Sequence, residues 1–172
     1  MVSIRRSTET DVPTILALYR KVAAIEGGLA RIQEEISHEY VRSFVARAMK
    51  SGFSFVAQLP SREAVIGEIH AYALGPKVFS HVLGELTIAV DPDTQGKGIG
   101  RLLFEHLLHS AKHERKDILR VELIARESNH KAIAFYQKLG FQIEGKMAGR
   151  IRGTDGKLEA DIPMAWFRQH AY

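Results

Sequence analysis

Apolar positions alternate with polar ones along short stretches and recur at helical spacing along longer ones, and the two periods divide the chain into elements. Leu86, Ile88 and Val90 alternate with Glu85, Thr87 and Ala89, the period of a strand. Just downstream, Ile99, Leu103, Leu107 and Ala111 recur at helical spacing, with Leu102, Phe104 and Leu108 widening the stripe. The same reading predicts a first strand over Val2–Arg6. A helix follows from about Asp11, capped by Thr8 or Thr10, with Pro13 in its first turn and Ile15, Leu18, Tyr19 and Val22 on its inner face. Glu26-Gly27-Gly28 breaks it, and a second helix runs from about Gln33 to Lys50. Phe53–Leu59 and Ala64–Leu74 read as a hairpin across Pro60-Ser61-Arg62-Glu63, and Gly84–Val90 as a fourth strand. Ile118–Ala125 is a strand, and Ser128 or Asn129 caps a short helix carrying Ile133, Tyr136 and Leu139 that Gly140 closes. Two last strands, Phe141–Arg152 and Leu158–Phe167, meet across Asp155-Gly156, a hairpin signal. The order is βααβββαβαββ, a mixed α/β (α+β-like) chain expected to form a single domain over residues 1–172.

Composition narrows the field. Apolar residues make up 45% and charged residues 26%, as in soluble globular proteins. No apolar run reaches the length of a membrane span, and the first twenty residues carry charges throughout, so neither a membrane partner nor a secretory leader is expected and a cytoplasmic location follows. The net charge of +4 suits anionic ligands, but acidic and basic residues are interspersed and no dense Lys/Arg block points to nucleic acid. The chain has no cysteine, which removes disulfides, Cys-ligated zinc and a cysteinyl intermediate.

The stretch that carries chemistry joins the fourth strand to the third helix. Gln95-Gly96-Lys97-Gly98-Ile99-Gly100-Arg101 brings bare backbone to a helix N-terminus, where unpaired N–H groups and the positive end of the dipole suit a phosphate. A dinucleotide fingerprint would need glycine where Arg101 stands, and a Walker loop would need Ser or Thr where Gly98 stands. What remains is Gln-x-x-Gly-x-Gly, which resembles the acyl-CoA pyrophosphate loop of the GNAT superfamily of N-acyltransferases. Ile88-Ala89-Val90-Asp91-Pro92 looks like that family's fourth strand and its exit, and Asn129 with Tyr136 and Leu139-Gly140-Phe141 is similar to its second signature. The order of elements fits over nearly the whole chain.

The resemblance implies a GNAT-type fold: a central, mostly antiparallel twisted sheet of about seven strands, with strands 4 and 5 splayed apart, and about four helices. It implies acetyl-CoA as co-substrate and no metal. The pyrophosphate would lie on Gln95, Gly96, Lys97, Gly98, Ile99, Gly100 and Arg101. The pantetheine arm would pair with main chain at Ile88, Ala89 and Val90, with Asn129 beside it. Tyr136 matches the family's general-acid tyrosine, and it also lies on the apolar face with Ile133 and Leu139. With no cysteine, direct attack in a ternary complex is expected, on a primary amine of a small-molecule acceptor. A protein N-terminus or lysine as acceptor, and a CoA-binding sensor without turnover, are the competing readings.

The base is open between Glu85, Glu122 and a water relay. Glu85 begins the fourth strand but, by alternation, faces away from Leu86, Ile88 and Val90 unless a bulge redirects it. Ile124 stands where the family's ribosomal-protein N-terminal acetyltransferases carry glutamate. Glu122 lies on the same strand face as Ile124. For the acceptor, Arg31 is a candidate for a carboxylate, and Glu35 or Glu34 for an amine, since the family's acceptor loop usually lies there. His106, His109 and His113 share helical spacing, which fits metal ligands or a solvated face. His70 either lines the acceptor site or faces solvent. Lys146, Arg150 and Arg152 share one face of the sixth strand, a solvated stripe or an anion-facing one. The last hairpin, with Trp166 and Phe167, leaves a homodimer open.

Overall fold

In the computed structural model the described residues are 2–25, 27–60 and 64–168. The elements are β1 (Ser3–Arg6), α1 (Val12–Ala23), α2 (His38–Ser51), β2 (Gly52–Gln58), β3 (Val65–Ala73), β4 (Val82–Val90), α3 (Ile99–His113), β5 (Arg120–Arg126), α4 (His130–Lys138), β6 (Gln142–Ile143), β7 (Met147–Arg152) and β8 (Leu158–Phe167). The strands form one sheet in the order β1-β2-β3-β4-β5-β8-β6, with β7 also on β8. Every pairing is antiparallel except β4 with β5.

Helix starts follow side-chain chemistry. The Thr8 N–H and hydroxyl donate to Asp11 Oδ2 at 2.8 and 2.9 Å, forming a short 3-10 turn before α1, and Arg5 grips the same carboxylate at 2.6 and 2.8 Å. The second helix starts at His38 rather than near Gln33, because Ser37 Oγ accepts the Tyr40 N–H and caps it there; residues 33–35 form a separate 3-10 turn. Glu26, and residues 61–63 of the expected turn between β2 and β3, lie outside the described residues.

The central strands are buried on both faces, so β3 reads as a nearly continuous buried run. Phe53, Phe55, Ile69 and Leu83 face Leu103, Phe104 and Leu107 of α3. Val56, Val65, Tyr72 and Ala89 face Tyr19, Val41 and Phe44 of α1 and α2. On that second face the sheet also buries Glu68 completely. Its carboxylate accepts from Tyr19 Oη at 2.5 Å and Ser54 Oγ at 2.8 Å, and lies 3.1 Å from His70 Nδ1. His70 therefore neither lines an open site nor faces solvent: its ring stacks on Phe44 at 3.9 Å and is 2% exposed.

Of the sheet's several irregularities, two change the expected strands. His70 pairs with Thr87 and Tyr72 with Gly84, so Glu85 and Leu86 together oppose Ala71. This is a β-bulge, with Glu85 at φ 53, and it inverts the alternation of the strand. Leu83 and Leu86, three residues apart, thereby join the same core. The bulge also follows the last residue of β4 paired to β5: only Val82 with Arg120 and Leu83 with Val121 are in register. Beyond it the two strands part, which is the expected splay. The second irregularity divides the predicted strand 141–152 into β6 and β7. Glu144 N–H reaches Pro163 O, so Pro163 presents to that neighbour the edge from which its own N–H is missing. The ladder lapses over residues 144–146 and resumes at Met147 opposite Asp161. Eight strands result, where about seven were expected.

Candidate active site

The turn from β4 into α3 is held from below. Asp91 accepts the Asp93 N–H at 3.0 Å, and its backbone oxygen takes both the Thr94 N–H at 2.8 Å and the Thr94 hydroxyl at 2.9 Å. Lys21 of α1 clamps Asp91 and Asp93 at 2.6 and 2.7 Å. Above this base, Gly96 and Gly98 both adopt φ 78, which turns the backbone so that Gly98 becomes the N-cap of α3. The first intrahelical bond is Leu102 N–H to Gly98 O at 3.0 Å. The N–H groups from Gly96 to Arg101 consequently find no acceptor among the described residues, and they crown a fifteen-residue helix. Gly100 has no positive φ, and a Cβ there would sit at ordinary contact distance, 3.7 Å, from Ile88 and Val90. A row of free donors on exposed backbone at the positive end of a helix fits a pyrophosphate. Lys97 reaches only the Asp93 backbone oxygen, at 3.5 Å, and Arg101 pairs with Glu105 at 2.7 Å, so both cations stay at the rim.

The turn that carries these donors follows the part of β4 that is no longer paired to β5. Ile88 and Val90 on β4 are half-buried, and Ala89 is buried toward α1 and α2. Across the gap, Asn129 caps α4: its Oδ1 accepts the Ala132 N–H at 3.1 Å. α4 carries Tyr136 onto α3, with its ring 5.3 Å from Phe104 and 6.2 Å from Phe141. Burial in this aromatic nest pushes the phenol up to about 12, so it holds its proton at any physiological pH. At the C-terminal end of β5 a cleft of about 670 Å³ opens between Gly27 in the loop after α1 and the β7–β8 hairpin.

Residues 22–141, the span that contains this loop, gap and helix, match the Acetyltransferase (GNAT) family. The chain belongs to the GNAT family. Among curated relatives, the ribosomal protein bS18-alanine N-acetyltransferase of Escherichia coli K12 is 42% identical over 84 residues, 47% of this chain and 55% of that protein. The chain thus spans about half the length of that relative. The peptidyl-lysine N-acetyltransferase YjaB of Salmonella typhimurium is 26% identical over 85% of this chain and 87% of its own. Among solved structures, yncA of Salmonella typhimurium, described as an acetyltransferase with its cofactor acetyl-CoA, has the same fold: TM-score 0.84, 19% identity, covering 100% of this chain and 97% of that one.

Within this GNAT fold the other candidates separate. Glu85 is exposed, and the bulge frees it from the alternation that would have turned it away from the site. Glu122 is engaged: Arg120 holds it at 3.1 Å and also binds Glu144. Ile124 is 49% exposed, a bare apolar position on β5. Arg31 lies over the Tyr40 ring at 4.4 Å, and Glu35 accepts the Ile32 N–H at 3.1 Å, so both also serve the local structure of the loop. His106 packs edge-on to Phe55 at 4.6 Å, and burial there lowers its pKa; His109 and His113 are exposed neighbours on α3. Among the described residues no group of three or more His, Asp or Glu side chains could hold a metal ion. The basic stripe of the sixth strand is broken up: Lys146 precedes β7 and pairs with Glu127, and Arg150 pairs with Asp161 at 2.8 Å. Arg126, which lines the cleft, was not singled out from sequence. A lone arginine at a strand end carries no periodic signal, and only the tertiary neighbours give it meaning.

Proposed function

We propose that this chain is an acetyl-CoA-dependent N-acetyltransferase that acts on a primary amine by direct attack within a ternary complex, the whole of residues 1–172 serving as one catalytic domain. The observation that carries this is the row of unpaired N–H groups from Gly96 to Arg101 at the start of α3, shortly after the stretch of β4 that β5 leaves unpaired. Bound acetyl-CoA supplies the reactive thioester. The chain's own part is to hold and orient. The loop would bind the pyrophosphate through main-chain donors, and β4 beyond the bulge, at Ile88 to Val90, offers unpaired edge to the pantetheine amides. Tyr136, kept protonated by burial, would donate to the departing thiolate; its hydroxyl is hydrogen-bonded to no described residue. Glu85, exposed at the bulge, would take the proton of the attacking amine directly or through water.

For the acceptor, an amine on a protein is the leading reading, supported by relatives named for a ribosomal-protein alanine and for peptidyl-lysine, and by a cleft open enough to admit a peptide segment. A small-molecule amine is the second reading, favoured by Ile124 in place of the glutamate expected of the ribosomal-protein type. No helix among the described residues is long and apolar enough to cross a membrane. The test is acetyl-CoA-dependent thiol release with N-terminal peptides, lysine peptides and small amines. Release with any of them supports the transferase, and Glu85→Gln should lower kcat at pH 7 by roughly 10²–10⁴-fold if Glu85 is the base. Tight acetyl-CoA binding with no release for any amine would leave a CoA-binding sensor instead.

A further inference from the structure

The cleft at the end of β5 contains a donor that nothing in the fold uses. Arg126 Nε is the one buried side-chain nitrogen or oxygen among the described residues without a hydrogen-bond partner. The carboxylates around it each have another partner. Its cross-strand neighbour Asp161 is taken by Arg150 at 2.8 Å. Asp155 binds the Lys157 side chain at 3.2 Å and the Lys157 N–H at 3.0 Å. Glu159 accepts from the Ser128 N–H at 2.8 Å and from the Ser128 hydroxyl, leaving Arg126 a contact with Glu159 of only 3.5 Å through Nη1. A guanidinium held to its acidic neighbours only by one 3.5 Å contact, with its buried Nε unpartnered, is complementary to an external carboxylate that binds across two parallel N–H groups.

The position suits an acceptor. Arg126 lies six residues beyond Arg120, the partner of Val82; with the extra residue of the bulge, it is level with Ala89 across the gap. It shares a strand face with the exposed Ile124, and within the cleft it lies among lining residues that include the apolar Leu158.

We propose that Arg126 is a specificity-determining residue that binds a carboxylate of the acceptor close to its reactive amine, either the α-carboxylate of a free amino acid or an acidic side chain next to the amine of a peptide. This rests on the acetyl-transfer reading of the same site. Calorimetric titration of acetyl-CoA onto the wild-type protein tests that reading by itself; no binding overturns it, and this proposal with it. In protein that binds acetyl-CoA, initial rates of thiol release are compared for L-amino acids against their amides, and for peptides with Asp against Asn in the second position. At least a tenfold higher kcat/KM for the carboxylate member of one pair is expected, and the pair that shows it identifies the source. In Arg126→Gln the ratio should fall to about one through a rise in KM. Arg126→Lys, which keeps the charge but not the planar pair of donors, should recover part of it. The absence of a carboxylate preference in the wild type, a preference retained in Arg126→Gln, or a loss equal for acids and amides would each overturn the proposal; the last is what a purely structural arginine would give.

Discussion

Substituting the two glycines at the start of α3 one at a time separates backbone geometry from ligand binding. Gly98 is the N-cap at φ 78 and ψ 4, and a Cβ there meets nothing within 4 Å, so Gly98→Ala is opposed by the left-handed backbone alone. That conformation costs an L-residue roughly 1–2 kcal/mol, and reduced freedom of the unfolded chain returns about 0.4–1 kcal/mol. The net loss is about 1 kcal/mol, which lowers Tm by about 2–4 °C for a chain of this size. Gly100→Ala should behave oppositely. It lies inside the first turn without a positive φ, and its Cβ would rest at 3.7 Å on Ile88 and Val90. Helix propensity then favours alanine by about 0.5–1 kcal/mol, raising Tm by about 1–4 °C. Binding should split the same way. Relaxing Gly98 out of its conformation re-aims the N–H groups of the following residues. Each hydrogen bond to a charged oxygen is worth roughly 1.5–3 kcal/mol, so losing one weakens acetyl-CoA by about 10–100-fold. Gly100→Ala leaves those groups in place and should stay within about threefold. Scanning calorimetry gives Tm, and isothermal titration with acetyl-CoA gives Kd. Wild-type affinity in a Gly98→Ala protein that shows the stability loss would refute the role assigned to this loop. A destabilised Gly100→Ala would refute the reading of the space around it.

Tyr136→Phe should lower kcat by roughly 10²-fold while acetyl-CoA affinity stays within about twofold, as seen by steady-state kinetics beside calorimetry. Because burial raises this phenol to about 12, the fold favours its protonated form. That contribution to stability is complete below the unfolded value near 10 and is lost as pH rises through about 12; alkaline unfolding of the wild type should therefore begin earlier than that of Tyr136→Phe. The Arg5 guanidinium and the Thr8 donors hold Asp11 below the usual carboxylate range. Its stabilisation is present above an unfolded pKa of about 3.9 and disappears as pH falls below it, so Asp11→Asn should flatten the acid limb of a urea-midpoint profile. Glu68→Ala strands Tyr19, Ser54 and His70 in a sealed interior and should cost about 3 kcal/mol in urea unfolding.

Much of this protein is legible in local pattern. Period-2 and helical stretches located all four helices and seven strand segments, since most elements bury one face and repeat their apolar residues accordingly, while the doubly buried β2 and β3 read as apolar-rich runs between turn signals. The loop was equally legible: Gly98 and Arg101 suffice to reject two phosphate motifs, and the free donors follow from any helix N-terminus with glycine before it. What tertiary structure decided is wherever a strand departs from its own period. The bulge at Glu85 cannot be read from alternation, because it is set by the register that β3 imposes, and it both exposes Glu85 and ends the pairing with β5. The break between β6 and β7 depends on which edge Pro163 turns toward its neighbour. His70 looked like a surface or site residue until a second buried group, Glu68, was brought to it across Tyr19 and Ser54. Arg126 is the clearest case: its Nε has no partner while Arg150 and Lys157, both distant along the chain, and the nearby Ser128 engage the carboxylates around it. Local sequence sets what each segment prefers to be; which polar groups end up satisfied depends on partners that only folding assembles.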